Sequence, residues 1–144
     1  MRASTASFIE RLSSLQPDTA VHPVADLYDA VAMLAPGPLE PEAIAAVFRF
    51  FERHPAADHG IPGPLVSLLE TQRGRYEREL KASVARAPVP MTLSMVNRIL
   101  NGEIEEQSFA EWMALLSDVA RNAINPSVRQ LASEYLEFQE SSGD

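Results

Sequence analysis

The chain has 144 residues, a formal charge of −8 and no cysteine. That length can bury roughly 70% of its unfolded surface in one core, so no metal or disulfide staple is required. The absent thiols exclude a disulfide framework, a thiolate zinc site and a cysteine nucleophile, and the acidity argues against nucleic acid as a partner, because phosphate binding needs a basic footprint.

Met1 to Glu10 carries no apolar signal-peptide core. No apolar run approaches the roughly 20 residues of a bilayer span. The expectation is a cytoplasmic protein without a membrane partner.

Apolar residues then recur at helical spacing along the chain. Phe8, Leu12 and Leu15 step by four and three. Val24, Leu27, Tyr28, Val31 and Leu34 form a second stripe, and Ile44, Val47, Phe48 and Phe51 a third. Phe109, Trp112, Met113, Leu116, Val119 and Ala120 give the clearest stripe, and Val128, Leu131, Ala132, Tyr135 and Phe138 the last. Each follows the i, i+3, i+4, i+7 rule of one buried helix face. No segment alternates apolar and polar residues between turn signals, so no sheet is predicted.

The breaks are marked by known end signals. Pro17, Pro23, Pro41 and Pro126 suit a first helical turn, where a missing N–H costs nothing. Asn125 is an N-cap before Pro126. Ser108 with Glu111 reads as a capping box. Asn101-Gly102 reads as a helix stop with a left-handed glycine. Pro36-Gly37-Pro38 and Ile61-Pro62-Gly63-Pro64 read as loops, and Pro88 and Pro90 separate two helices.

These signals predict an all-α fold of about eight helices, near 4–15, 23–35, 40–54, 63–72, 74–87, 90–101, 107–122 and 126–140. Short connections imply antiparallel pairs, either as an α-α superhelix (HEAT-like) or as a compact helical bundle. One domain over 1–144 is expected, with residues 141–144 as a fraying tail. The helix near 90–101 is apolar on two sides, Leu93, Val96 and Leu100 on one and Met95 and Ile99 on another. That places it centrally.

Chemistry is sparse. His54, Asp58 and His59 lie within six residues but in a loop, where no helical spacing fixes a ligand geometry. A polar inter-helix turn, with His54 near a helix C-terminus, explains them better. Ser67 follows Gly63-Pro64-Leu65-Val66 without the preceding strand of a serine elbow. Glu105-Glu106 reads as solvated charge. Arg73, Arg75, Arg78, Lys81 and Arg86 are interrupted by Glu77 and Glu79, and Glu77 to Lys81 is an i, i+4 pair on an exposed face. Neither a catalytic set, a metal site nor a cofactor is expected. Asn97 and Arg98 sit inside the most apolar helix. Burial there requires a carboxylate or backbone carbonyls as partners, with Glu70 and Glu77 as the expected carboxylates, in a structural pair that fixes helix register.

The stretch Phe51-Glu52-Arg53-His54-Pro55, Gly63-Pro64-Leu65-Val66, Leu69-Glu70, Tyr76, Leu80, Ser83, Arg86, Pro88 and Asn97-Arg98-Ile99-Leu100-Asn101 resembles small all-helical bacterial immunity proteins of polymorphic or contact-dependent toxin systems. The match covers residues 52–102, and its most specific blocks are Gly-Pro-Leu-Val and Asn-Arg-Ile-Leu-Asn. The resemblance implies a protein that binds a cognate toxin domain and blocks it, without catalysis.

Charge supplies a candidate face. Residues 1–102 hold 11 acids and 10 bases, whereas residues 103–144 hold 9 acids and 2 bases. An acidic surface suits a basic toxin domain, since opposite charge speeds encounter and selects partners. The expected docking residues are Glu105, Glu106, Glu111, Asp118, Glu134 and Glu137. The alternative is a helical scaffold or adaptor of α-solenoid type, unrelated to toxins.

Overall fold

Prolines open five of the eight helices found among the described residues. A proline at the first helical position has its φ already set, and the amide it lacks would have had no helical partner. The computed structural model describes residues 1–142. The helices are α1 (Ala3–Ser14), α2 (Pro23–Val31), α3 (Pro41–Arg53), α4 (Pro64–Glu70), α5 (Glu77–Arg86), α6 (Pro90–Leu100), α7 (Glu106–Asn122) and α8 (Pro126–Ser142). The fold is all-α. None of these helices is long and apolar enough to cross a membrane.

Several ends differ from the sequence expectation. Pro17 is buried in the connector after α1 and opens no helix. α5 starts at Glu77 rather than near 74, because Gly74 adopts φ +89°. The Glu77 carboxylate then accepts the Gly74 amide at 2.8 and 3.0 Å and the Tyr76 amide at 3.1 Å. This use of Glu77 replaces the expected pair with Lys81. α7 begins before Ser108, and the residue at its N-cap, Glu105, makes no side-chain cap bond, so the Ser108–Glu111 box does not form. α6 ends in a tight turn in which the Gly102 amide donates to the Ile99 carbonyl, without a left-handed glycine. The Asn125 cap does form, its Oδ1 accepting from the Ser127 and Val128 amides. α8 extends through Ser142, and Gly143 and Asp144, the rest of the tail expected to fray, lie outside the described residues.

Backbone contacts divide the chain into two compact units, residues 1–79 and residue 80 onward. In the first, α1 packs against α3 and α2 against α4, with α1 also touching α2. α3 is the hub: Ala43, Ile44, Val47, Phe48, Phe50 and Phe51 are all buried. The segment entering it is clamped from two directions. Glu40 Oε1 accepts the Arg2 amide and the Thr5 hydroxyl, each at 2.7 Å, and the Arg2 Nε at 3.2 Å. Beside it, Gln72 Oε1 accepts the Leu39 amide at 2.9 Å, and Arg75 donates to the Leu39 carbonyl at 2.7 Å. Tyr28, expected on the buried stripe of α2, is exposed; Leu27 and Ala30 are buried instead.

In the second unit, α6 is buried on two sides as its pattern predicts, with Leu93, Met95, Val96 and Leu100 all buried. α7 and α8 form a hairpin through the three residues 123–125. Pro90 shares a groove with Pro126 and Gln130, whereas Gln139 bonds Asn97 and Asn101. α6 and α8 therefore run in the same direction, antiparallel to α7. The stripe of α8 shifts register at its end: Phe138 is 52% exposed and Gln139 is 5% exposed. Gln139 Nε2 donates to Asn97 Oδ1 at 2.7 Å and to Asn101 Oδ1 at 2.8 Å. A polar side chain with partners thus takes the place expected for a phenylalanine.

Two predictions follow from this packing. Gln139→Ala should destabilise the protein by about 1–3 kcal/mol, through lost hydrogen bonds and unpaired amide oxygens. Phe138→Ala should stay within about 0.5 kcal/mol, as expected for an exposed position. Urea denaturation of both variants checks the order, and a larger loss at Phe138 would contradict it. Separately, the amide, hydroxyl and guanidinium donors around Glu40 hold its carboxyl pKa near 2, against 4.5 when unperturbed. A depressed folded-state pKa contributes stability that is complete above about 4.5 and lost as pH falls towards about 2. Glu40→Gln should therefore melt below the wild type at neutral pH, and the gap should close across that acid range. A gap independent of pH would contradict this.

Candidate functional surface

The six expected docking carboxylates, Glu105, Glu106, Glu111, Asp118, Glu134 and Glu137, are all exposed. The fold distributes them over more than one side. Glu111 accepts the Lys81 ammonium at 3.1 Å, and that ammonium also sits 4.8 Å from the Trp112 ring centroid. Asp118 lies near the C-terminal end of α7 and accepts Asn122 Nδ2 at 2.7 Å. Both therefore lie on the side of α7 that faces α5. Glu134 lines the groove between the starts of α6 and α8 and accepts Gln130 Nε2. Glu105 and Glu106 stand at the entry to α7.

The units also recast the charge asymmetry seen along the chain. Residues 1–79 hold 11 acids and 7 bases, and residues 80–144 hold 9 acids and 5 bases, so each nets −4. Lys81, Arg86 and Arg98 fold with the acidic C-terminal helices rather than with the N-terminal half.

Of the three residues expected to be buried, Asn97, Arg98 and Glu70, none is fully buried. Arg98 is exposed, because its position turns away from both apolar sides of α6; Glu70 and Asn97 are half-buried. The polar group buried against α6 is Gln139, which bonds Asn97. Its signal in the sequence was absent, since a glutamine one residue beyond Phe138 reads as surface.

The turn after α3 is built around histidine. His54 caps α3, and its Nδ1–H donates to Asp18 at 2.8 Å. His59 is 3% exposed and packs edge-on against the Phe50 and Phe51 rings. Its Nε2–H donates to the His54 carbonyl at 2.9 Å, which leaves Nδ1 as a buried acceptor with no hydrogen-bond partner among the described residues. Asp58 accepts the Gly60 amide at 2.9 Å. Gly60 and Gly63 have φ of +92° and +87°, and a Cβ at Gly63 would collide with the His59 carbonyl. His59 Nε2 and Asp58 thus close the turn, and His54 ties it to Asp18 in the connector after α1. No group of three or more metal-ligating side chains gathers among the described residues.

A cleft of about 390 Å³ opens in the second unit, between the end of α5, the end of α7 and the 123–125 loop. Val84, Val119 and Val128 are its buried apolar lining, and Asp118, Asn122 and Arg86 its polar one. Arg129 Nη1 donates to the carbonyls of Ala123 and Ile124 at 2.7 and 3.0 Å. These bonds satisfy acceptors left open beyond α7 and hold the loop in place. Ile124, on that loop and at the cleft, is 97% exposed.

Burial of His59 pushes its pKa below the ordinary 6.5. Protonation is then disfavoured in the folded state, so stability is complete above 6.5 and declines as pH falls below that value towards the folded pKa. His59→Gln should remove this segment of the profile, as read by denaturant midpoints from neutral to mildly acidic pH; an unchanged slope would contradict the buried neutral imidazole. No protein-family model, curated protein or solved structure matches the chain.

Proposed function

We propose that this chain is a non-catalytic binding protein of immunity type, which engages a cognate toxin domain in the cytoplasm of the producing cell and blocks it stoichiometrically. The observation that carries the reading is the exposure of Glu105, Glu106, Glu111, Asp118, Glu134 and Glu137, on a chain of net charge −8. Exposed carboxylates raise the encounter rate with a basic domain and disfavour acidic competitors. The resemblance over residues 52–102 supplies the toxin-neutralising part of the reading.

The test uses the product of the gene adjacent to this one. The proposal expects co-purification with that product and rescue of growth when both are expressed. The triple variant Glu106→Lys, Glu134→Lys, Glu137→Lys should slow association by roughly tenfold at low salt and flatten its salt dependence. Absence of both binding and rescue by the wild type would overturn the reading.

A further inference from the structure

A fully exposed isoleucine is ordinary when it stands on a mobile loop. Ile124 stands on a fixed one. Its own carbonyl and that of Ala123 are bound by Arg129. The next residue, Asn125, is tied to the amides of Ser127 and Val128. The loop is therefore held on both sides of a side chain that is 97% exposed. Ordering that normally opposes binding has already taken place.

The knob lies beside a hollow. The cleft between the ends of α5 and α7 has a buried valine lining and a carboxylate, Asp118, at its wall. Asn122 occupies one oxygen of Asp118, and a carboxylate with about four acceptor sites retains capacity for a cation. Arg86, also at the cleft, has an interaction of its own. An apolar projection next to an apolar hollow with Asp118, Asn122 and Arg86 at its rim matches the anatomy of an interface centre: a buried anchor surrounded by polar groups.

We propose that Ile124 and the adjoining Asp118 cleft form the central anchor of the partner interface. The occupant is a basic protein surface that supplies an apolar pocket for Ile124 and a lysine or arginine for Asp118. This inference rests on the binding function above and adds its location. It also divides the work. The acids elsewhere on α7 and α8 act at long range on association, and the anchor controls dissociation.

The probe is the purified, catalytically inactivated product of the adjacent gene, with rates measured against the full chain. Ile124→Asp and Asp118→Asn should each raise the dissociation rate at least tenfold with association little changed. Val21→Asp, at a residue 86% exposed in the other unit, should change neither rate. Melting temperatures of all three variants should match the wild type, because each site is exposed. Wild-type binding with dissociation unaltered by Ile124→Asp overturns the anchor and leaves the binding function standing. No binding by the wild type overturns both. Sedimentation of the chain alone provides the remaining outcome: a wild-type dimer that Ile124→Asp converts to monomer would assign the knob to a second copy and overturn the basic partner.

Discussion

Helix ends are the constraint on which this structure depends. Each end leaves backbone donors or acceptors that must be paired. Among helices α1, α2, α3, α4, α6 and α7, none has an N-cap residue whose side chain bonds its first amides. The chain instead opens helices with proline and pairs the remaining groups through side chains from elsewhere. Glu40 gathers Arg2 and Thr5 from α1 and its approach. Gln72 and Arg75 bind both backbone groups of Leu39. Arg129 reaches back to the loop behind its own helix. Removing such a residue unfastens a connection as well as a bond, which is why these side chains matter more than their exposure suggests.

The two units solve burial in a related way. In each, one helix is buried on more than a narrow stripe: α3 in the first and α6 in the second. The turn after α3 folds back so that His59 closes over Phe50 and Phe51. That closure needs a neutral imidazole and glycine at 60 and 63, where the backbones approach too closely for a Cβ. In the second unit, Gln139 closes the far end against Asn97 and Asn101.

Much of the fold was legible from apolar spacing and proline placement, because both act within a single helix. Eight helices, the doubly buried α6 and the Asn125 cap follow from local rules. The misses share a cause. Tyr28, Phe138 and Arg98 each lie at the edge of a stripe, where a rotation of a few tens of degrees decides burial, and the rotation is set by tertiary contacts. The Glu77 turn and the Lys81–Glu111 pair likewise depend on choices between local and distant partners. At the candidate surface, the acidic residues could be named from sequence, but their division between sides could not. Ile124 gave no signal, since its exposure depends on how Arg129 and Asn125 hold the loop.

The proposed binding function puts its anchor at the exposed corner around Ile124 and its long-range attraction on the acids of α7 and α8. Hydrogen–deuterium exchange of the full chain, with and without the adjacent gene's product, tests this most directly. The account predicts added protection concentrated at residues 118–128, where the end of α7, the loop and the start of α8 meet. A bound complex whose protection falls only within residues 1–79 would contradict it.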